Sequence, residues 1–177
     1  KKAMKGHLDL IDPATAVGEE LLGVPSFDVP DFTKPLSEEK SILKNLKKVF
    51  LMIAGAGVQK YGTDLEKHQQ LLLAVSDILI EIYMVESAIL RTEKNISRYG
   101  LDAQEMQLAM TKLYLFQAVE KIQSKGKEAI ISSAEGDEQK MLLMGLKRFT
   151  KYVNHPNVIG LREQVADKVI AENQYCF

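Results

Sequence analysis

The sequence predicts an all-α fold: an antiparallel up-and-down helical bundle with three long helices and two shorter C-terminal helices. Apolar residues recur at the three- and four-residue spacing of a helix in five stretches, and no segment alternates apolar and polar residues as a strand does. Short glycine-containing turns join the long stretches, so neighbouring helices are expected to run antiparallel. The 177 residues, 46% of them hydrophobic, suffice for one domain with a sizeable core.

The first 36 residues are expected to precede this bundle. Residues 1–12 look like the end of a helix that starts further upstream, which suggests a fragment of a longer protein. Residues 13–36 contain four of the five prolines, two glycines and four acidic residues, and they predict a linker with a short helix at 14–22. The bundle domain is therefore predicted to cover residues 37–177.

The first long helix is predicted to run from Ser37, its expected N-cap, to Tyr61-Gly62, with two glutamates that complement the helix dipole in its first turn. Apolar residues mark one side of it: Ile42, Leu46, Val49, Phe50 and Ile53. Lysines mark the other side: Lys40, Lys44, Lys47 and Lys48. A basic amphipathic helix can bind a membrane or a partner, but the neighbouring acidic residues favour a solvated face of the bundle.

The second long helix is predicted to run from an N-cap at Asp64 to about Arg98. Between Leu71 and Leu90 it is apolar on nearly every face, which predicts that it occupies the centre of the bundle. The remaining helices are predicted at about 103–133, at 137–152 and after the break at His155-Pro156.

Charge and cysteine content exclude several classes of protein. A formal net charge of -1 argues against a nucleic-acid binder, and no apolar run has the length of a membrane span. The single cysteine, Cys176, excludes an internal disulfide and has no neighbouring base that would make it a catalytic thiol.

The glycines Gly55 and Gly57, followed by Gly62, resemble a dinucleotide-binding fingerprint at first sight. Lys60 occupies the position of the third glycine, however, and no strand precedes the motif. These glycines are therefore predicted to permit close packing between helices.

Asp77 and Glu81 lie one turn apart and share a helix face. Paired carboxylates in a bundle raise the possibility of a di-iron site, but that site needs Glu-x-x-His pairs from two helices. The three histidines, His7, His68 and His155, do not supply that spacing. Structural hydrogen bonding or ion pairing with a neighbouring helix, for example through Arg91 or Arg98, is the favoured prediction. No catalytic, cofactor-binding or metal-binding residue is assigned.

The stretch from Gln69 to Ile96, QQLLLAVSDILIEIYMVESAILRTEKNI, resembles the C-terminal helical domain of very-long-chain-type acyl-CoA dehydrogenases. The residues that carry the resemblance are Asp77, Ile80, Glu81, Ile82, Tyr83 and Arg91. The opening KKAMKGHLDLI is similar to the segment that follows the catalytic glutamate of this family.

The resemblance implies a parent flavoprotein that oxidises a fatty acyl-CoA to the trans-2-enoyl-CoA, with FAD as cofactor and an electron-transfer flavoprotein as acceptor. The family's Glu-Gly-Thr motif is absent here, so this chain is expected to be inactive by itself. It would pack beside the catalytic domain and support a homo-oligomer. A cytoplasmic bacterial enzyme is expected, because residues 13–36 lack the basic amphipathic face expected of a membrane-binding segment.

Two other hypotheses remain. A stand-alone helical interaction module would bind a partner through its Leu- and Met-rich helices and would expose an apolar patch. A metal-dependent bundle enzyme would need ligand spacing that the sequence does not offer.

Overall fold

The computed structural model describes residues 10–23 and 30–174. These residues form six α-helices and two short 3-10 turns, without a strand among them, which confirms the predicted all-α fold. The helices are α1 (Ile11–Leu22), α2 (Ser37–Tyr61), α3 (Gln69–Tyr99), α4 (Glu105–Ser133), α5 (Gly136–Phe149) and α6 (Val158–Glu172). The 3-10 turns span Gly62–Lys67 and Asp102–Gln104.

The three long helices α2, α3 and α4 run up, down and up, as predicted. In each neighbouring pair, residues towards the start of one helix contact residues towards the end of the other. The contacts are Lys40–Glu93 and Lys47–Glu86 between α2 and α3, and Asp77–Lys125 and Thr92–Thr111 between α3 and α4. The shorter helix α5 packs on α2 and α4, and α6 packs on α4.

All three long helices contribute almost fully buried residues to the core: Leu46 and Val49 of α2, Ile78, Val85 and Ile89 of α3, and Leu115, Val119 and Ile122 of α4. The expectation that α3 occupies the centre is wrong. Its main packing partners among the helices are α2 and α4, which cover one side of it. The opposite side of α3 is left exposed although it is also apolar.

Two predicted helix caps are wrong. Ser37 is the first residue of α2, and the N-cap is Leu36, which has a φ of 61° and makes no side-chain cap hydrogen bond. Burial of the Leu36 side chain offsets the cost of this left-handed conformation. Asp64 lies within the 3-10 turn, where its carboxylate pairs with Nζ of Lys67 at 2.7 Å. It does not cap α3, because that helix begins only at Gln69.

The predicted short helix near the N-terminus is present as α1, and it begins at Ile11 rather than at residue 14. It is not a free linker segment, because Val17 and Leu21 are buried against the bundle. Residues 1–9 and 24–29 lie outside the described residues. The division into an upstream helix end, a linker and a bundle stays a prediction.

The glycines of α2 lie at close helix contacts. A Cβ atom on Gly55 would stand 2.7 Å from the Cβ of Ala14 in α1. A Cβ atom on Gly57 would stand 3.2 Å from Cδ2 of Leu71 in α3. Close helix packing is therefore the role of these glycines, as the sequence predicts.

Candidate interaction surface

The exposed side of α3 carries seven large apolar side chains that the described residues leave uncovered. We call this set the α3 outer face: Leu72, Leu73, Leu79, Ile80, Tyr83, Met84 and Leu90. Its most exposed members include Ile80, at 57%, and Tyr83, at 68%. At 1.5 Å per residue the face extends for about 27 Å along the helix. A contiguous apolar strip of this length is typical of an interaction site.

Two serines lie within the α3 outer face without offering free hydrogen-bond donors. The Ser76 hydroxyl donates to the carbonyl oxygen of Leu72 at 2.7 Å, and the Ser87 hydroxyl donates to that of Tyr83 at 2.8 Å. Because both donors are satisfied within the helix, covering these serines would not leave a hydroxyl hydrogen without an acceptor. The strip therefore remains suited to burial along its whole length.

The C-terminal end of α3 is cationic on the same side. Arg91, Lys94 and Arg98 are exposed, and none of them has a carboxylate partner within the part of the chain that the structure describes. The outer side of α3 is therefore apolar from Leu72 to Leu90 and positively charged beyond it.

Asp77 and Glu81 pair with the neighbouring helix, as favoured from the sequence, but through other residues. Glu81 accepts hydrogen bonds from the Tyr114 hydroxyl and from Nζ of Lys121, both at 2.9 Å. Asp77 lies 3.9 Å from Nζ of Lys125. The predicted partners Arg91 and Arg98 are wrong, because they lie on α3 itself, at least about 15 Å along the helix from Glu81.

The Glu81 contact gives a testable pH dependence. Desolvation, and then the hydrogen bond to Glu81, raise the pKa of Tyr114 to about 12. Between pH 10 and pH 12 the folded state therefore keeps the Tyr114 proton, whereas the unfolded state, with a tyrosine pKa of about 10, releases it. We expect wild-type stability relative to Tyr114→Phe to be constant below pH 10 and to fall by about 1 kcal/mol between pH 10 and 12, a value discounted for the partly open setting.

Urea unfolding between pH 8 and pH 11.5 measures this difference. Tyr99→Phe, at an exposed ring at the end of α3, is the matched control and should leave the profile unchanged. A constant difference between wild type and Tyr114→Phe over the whole range would contradict the assignment.

The lysines of α2 bridge helices. Lys47 pairs with Glu86 of α3 and Lys48 with Glu20 of α1, each at 2.6 Å, and Lys40 pairs with Glu93. The favoured prediction of a solvated lysine face is confirmed, because Lys40, Lys44 and Lys47 are exposed. The ion pairs with acidic residues of neighbouring helices form at this exposed surface.

The other titratable groups singled out from the sequence form no reactive cluster. His68 stacks on Tyr61 with ring centroids 3.7 Å apart, and His155 lies beside Tyr152. Among the described residues no group of three or more metal-ligating side chains comes together. His7 and Cys176 lie outside the described residues.

An apolar groove of about 520 Å³ lies between α1, α2 and α5. Its wall includes Leu10, Met52 and Met141, with Glu19 and Glu138 among its polar members. None of the described helices is long and apolar enough to cross a membrane.

The α3 outer face is a candidate interaction surface that the sequence analysis missed. The signal was present as apolar residues on nearly every side of α3, but we interpreted it as burial at the centre. From the sequence, Ile80 and Tyr83 are identified only as residues that carry a family resemblance.

Comparison with known proteins places the chain in a family. The family model for the acyl-CoA dehydrogenase C-terminal domain matches residues 45–148. The chain is 34% identical over 175 residues to a probable acyl-CoA dehydrogenase of Bacillus subtilis, covering 99% of this chain and 29% of that protein.

A solved structure gives the same result. The chain matches the crystal structure of an acyl-CoA dehydrogenase complexed with FAD from Bacillus anthracis with a TM-score of 0.89 and 35% identity. The match covers 99% of this chain and 29% of that one, so the chain spans about 29% of the length of these relatives. The helical order, the structural match and the family model agree, and the chain belongs to the acyl-CoA dehydrogenase C-terminal domain family.

Proposed function

We propose that this chain is the non-catalytic C-terminal domain of an FAD-dependent acyl-CoA dehydrogenase of fatty-acid β-oxidation. In this role it packs beside the catalytic part of the enzyme and supports a homo-oligomer by burying its α3 outer face. The observation that carries the docking role is that face: seven large apolar side chains on one side of α3 stay exposed within residues 10–23 and 30–174.

Burial of this face is energetically reasonable. Covering a large apolar side chain contributes roughly 1.5–3 kcal/mol relative to leaving it in water. The serine hydroxyls within the face are already bonded to their own helix, so little polar desolvation offsets this gain.

The catalytic machinery is proposed to lie outside this chain. A phosphate cradle for FAD needs free backbone N–H groups at a glycine-rich turn, whereas Gly55 and Gly57 lie inside α2 and pack against α1 and α3. We therefore assign no step of acyl-CoA oxidation to the described residues. The acyl-CoA substrate and an electron-transfer flavoprotein are proposed partners of the longer enzyme.

The stand-alone interaction module also predicts an exposed apolar patch, so the α3 outer face alone does not separate the two hypotheses. The domain hypothesis is favoured because both relatives are acyl-CoA dehydrogenases more than three times as long as the matched segment. Their occurrence in Bacillus supports a bacterial parent, for which we propose a cytoplasmic location.

The experiment is done on the longer enzyme, with Ile80→Asp in the α3 outer face and Ile170→Asp as the matched control. Ile170 is an exposed isoleucine of α6, away from this face. We expect Ile80→Asp to lower the oligomer mass measured by light scattering, because it places a charge in a buried apolar contact. Ile170→Asp should leave the mass unchanged.

The visible spectrum of the same preparations tests the enzymatic part of the proposal. A flavin band that bleaches on addition of a long-chain acyl-CoA is expected, whereas this chain alone should neither bind flavin nor turn over the thioester. A longer protein without flavin would contradict the dehydrogenase assignment. Equal masses for wild type and both aspartate variants would contradict the docking role.

A further inference from the structure

We propose that the α3 outer face binds the same face of a second copy of this chain, with the two α3 helices antiparallel across a two-fold axis. This proposal rests on the docking role proposed above and names the partner of that surface. The axis would pass beside the midpoint between Glu81 and Ile82. Four features of α3 lead to this arrangement.

The first feature is the spacing of the exposed residues. Along the middle of the outer side of α3 the sequence places Leu73, Ser76, Ile80, Tyr83, Ser87 and Leu90. The intervals alternate between three and four residues, which is the spacing that lets one helix pack lengthwise against another. The same helix therefore carries two apolar stripes. One is buried against α2 and α4, and the other is available for a second helix.

The second feature is that this stripe is symmetric when it is reversed. Reflection about the midpoint exchanges Leu73 with Leu90, Ser76 with Ser87, and Ile80 with Tyr83. An antiparallel partner would consequently meet leucine with leucine, serine with serine, and isoleucine with tyrosine in successive layers. In a two-fold interface residue i contacts residue j in both directions, so each layer occurs twice. Here every layer would pair apolar with apolar or serine with serine.

The third feature is the behaviour of the two serines. They are the smallest residues of the stripe, and they would face each other in the same layer on each side of the axis. Each hydroxyl already donates to the carbonyl four residues earlier. The helices can therefore approach closely at these layers without burying an unpaired donor.

The fourth feature is the charge at the end of α3, and it selects the antiparallel direction. A parallel pair would place Arg91, Lys94 and Arg98 of both copies side by side, and like charges in contact destabilise such a pairing. In the antiparallel pair the two Lys94 residues would be roughly 38 Å apart along the axis, well beyond the Debye length of about 8 Å at physiological salt.

Each cationic end would also point towards the Gly62–Lys67 turn of the second copy. That turn contains Asp64 and Glu66, and it contains Lys67, which pairs with Asp64. The antiparallel direction thus replaces contact between two cationic clusters with contact to a segment of mixed charge.

The expected contact is small. A strip about 27 Å long and about 10 Å wide corresponds to roughly 300 Å² per copy, whereas a stable dimer buries about 800 Å² per partner. Pairing of α3 alone should therefore be weak in this chain. In the longer enzyme the other parts of the subunit would supply the remaining area. A test on this chain therefore has to trap the α3–α3 dimer covalently, because a measurement of molecular mass at equilibrium would not detect a weak dimer.

Disulfide trapping distinguishes the two directions. In a Cys176→Ser background, Ser76→Cys and Ser87→Cys are prepared separately, then oxidised alone and as an equimolar mixture. Antiparallel pairing brings position 76 of one copy next to position 87 of the other. It leaves the two positions 76 about 16 Å apart along the axis, beyond the reach of a disulfide, whose Cα atoms must lie within about 7 Å.

We expect a covalent dimer in the mixture and little in either variant alone. Adding Tyr83→Glu to both proteins should reduce the yield at least tenfold, whereas adding Ile170→Asp should not. Efficient trapping of each variant with itself would indicate a parallel pair and overturn the proposal. The absence of a trapped dimer in the mixture, both in this chain and in the longer enzyme, would overturn it as well.

The two proposals fail in different ways. If trapping fails but Ile80→Asp still lowers the oligomer mass of the longer enzyme, the α3 outer face docks on another part of the enzyme and only the second-copy proposal falls. If Ile80→Asp also leaves the enzyme unchanged, the docking role falls with it.

Discussion

Replacing Ile78 with alanine should lower the free energy of unfolding of this chain by about 2–5 kcal/mol. Ile78 is 1% exposed and lies on the side of α3 that packs against α2 and α4. Removal of three methyl or methylene carbons leaves a cavity that rigid neighbouring helices fill only partly. The measurement is urea unfolding followed by circular dichroism at low micromolar concentration, where weak association through the α3 outer face does not contribute.

The matched replacement is Ile80→Ala, two residues further along the same helix. Its side chain is 57% exposed, so the expected change is within about 0.5 kcal/mol. The same chemical deletion thus gives two very different results on one helix. Similar losses at both positions would mean that the outer face is covered within the folded chain, and this would remove the basis for a docking surface.

The contrast between Ile78 and Ile80 shows where sequence reasoning succeeded and where it failed. Periodicity predicted the existence and approximate limits of every long helix, because a buried stripe imposes a spacing that can be read directly. It could not decide how many sides of α3 are covered within the chain, because a helix buried by its own domain and one buried by a partner have the same composition. The alternating spacing of the second stripe, from Leu73 to Leu90, was the available clue.

Helix ends were predicted less well, for a different reason. Ser37 and Asp64 are both good N-cap residues by local chemistry. At the first site burial of Leu36 determines the turn, and at the second a stacked pair of rings, Tyr61 and His68, closes a 3-10 segment before α3 begins. Both are tertiary contacts, and a local rule does not include them.

The partners of Asp77 and Glu81 could not be predicted from the sequence either. Their shared face was predicted from the one-turn spacing, but the register between α3 and α4 decides that Tyr114 and Lys121 lie opposite Glu81. That register depends on the loop at Gly100–Gln104 and on the match of two buried surfaces, neither of which can be read from α3 alone.

A buried pair of threonines gives the second large expected effect. The Thr92 and Thr111 hydroxyls lie 2.8 Å apart in the interface between α3 and α4, and both side chains are buried. Replacing either one with valine removes one hydroxyl and leaves the other without that partner. We expect each single variant to lose about 1–3 kcal/mol in the free energy of unfolding.

The double variant Thr92→Val with Thr111→Val should recover most of that loss, because two apolar side chains of the same shape need no partner. A double-mutant cycle by urea unfolding then yields the coupling energy, with Thr63→Val at an exposed turn position as the control. Single variants as stable as wild type would mean that the remaining hydroxyl turns to a carbonyl of its own helix.

Coupling at this pair matters beyond stability because α3 is held mainly from one side. Thr92 lies two residues beyond Leu90, the last residue of the outer stripe, and directly follows Arg91, where the cationic segment of α3 begins. A hydrogen bond at this point fixes the rotation of α3 about its own axis against α4, and that rotation decides which side chains face outwards. If the coupling is present, the single variants should also weaken disulfide trapping between positions 76 and 87, although neither threonine belongs to the α3 outer face.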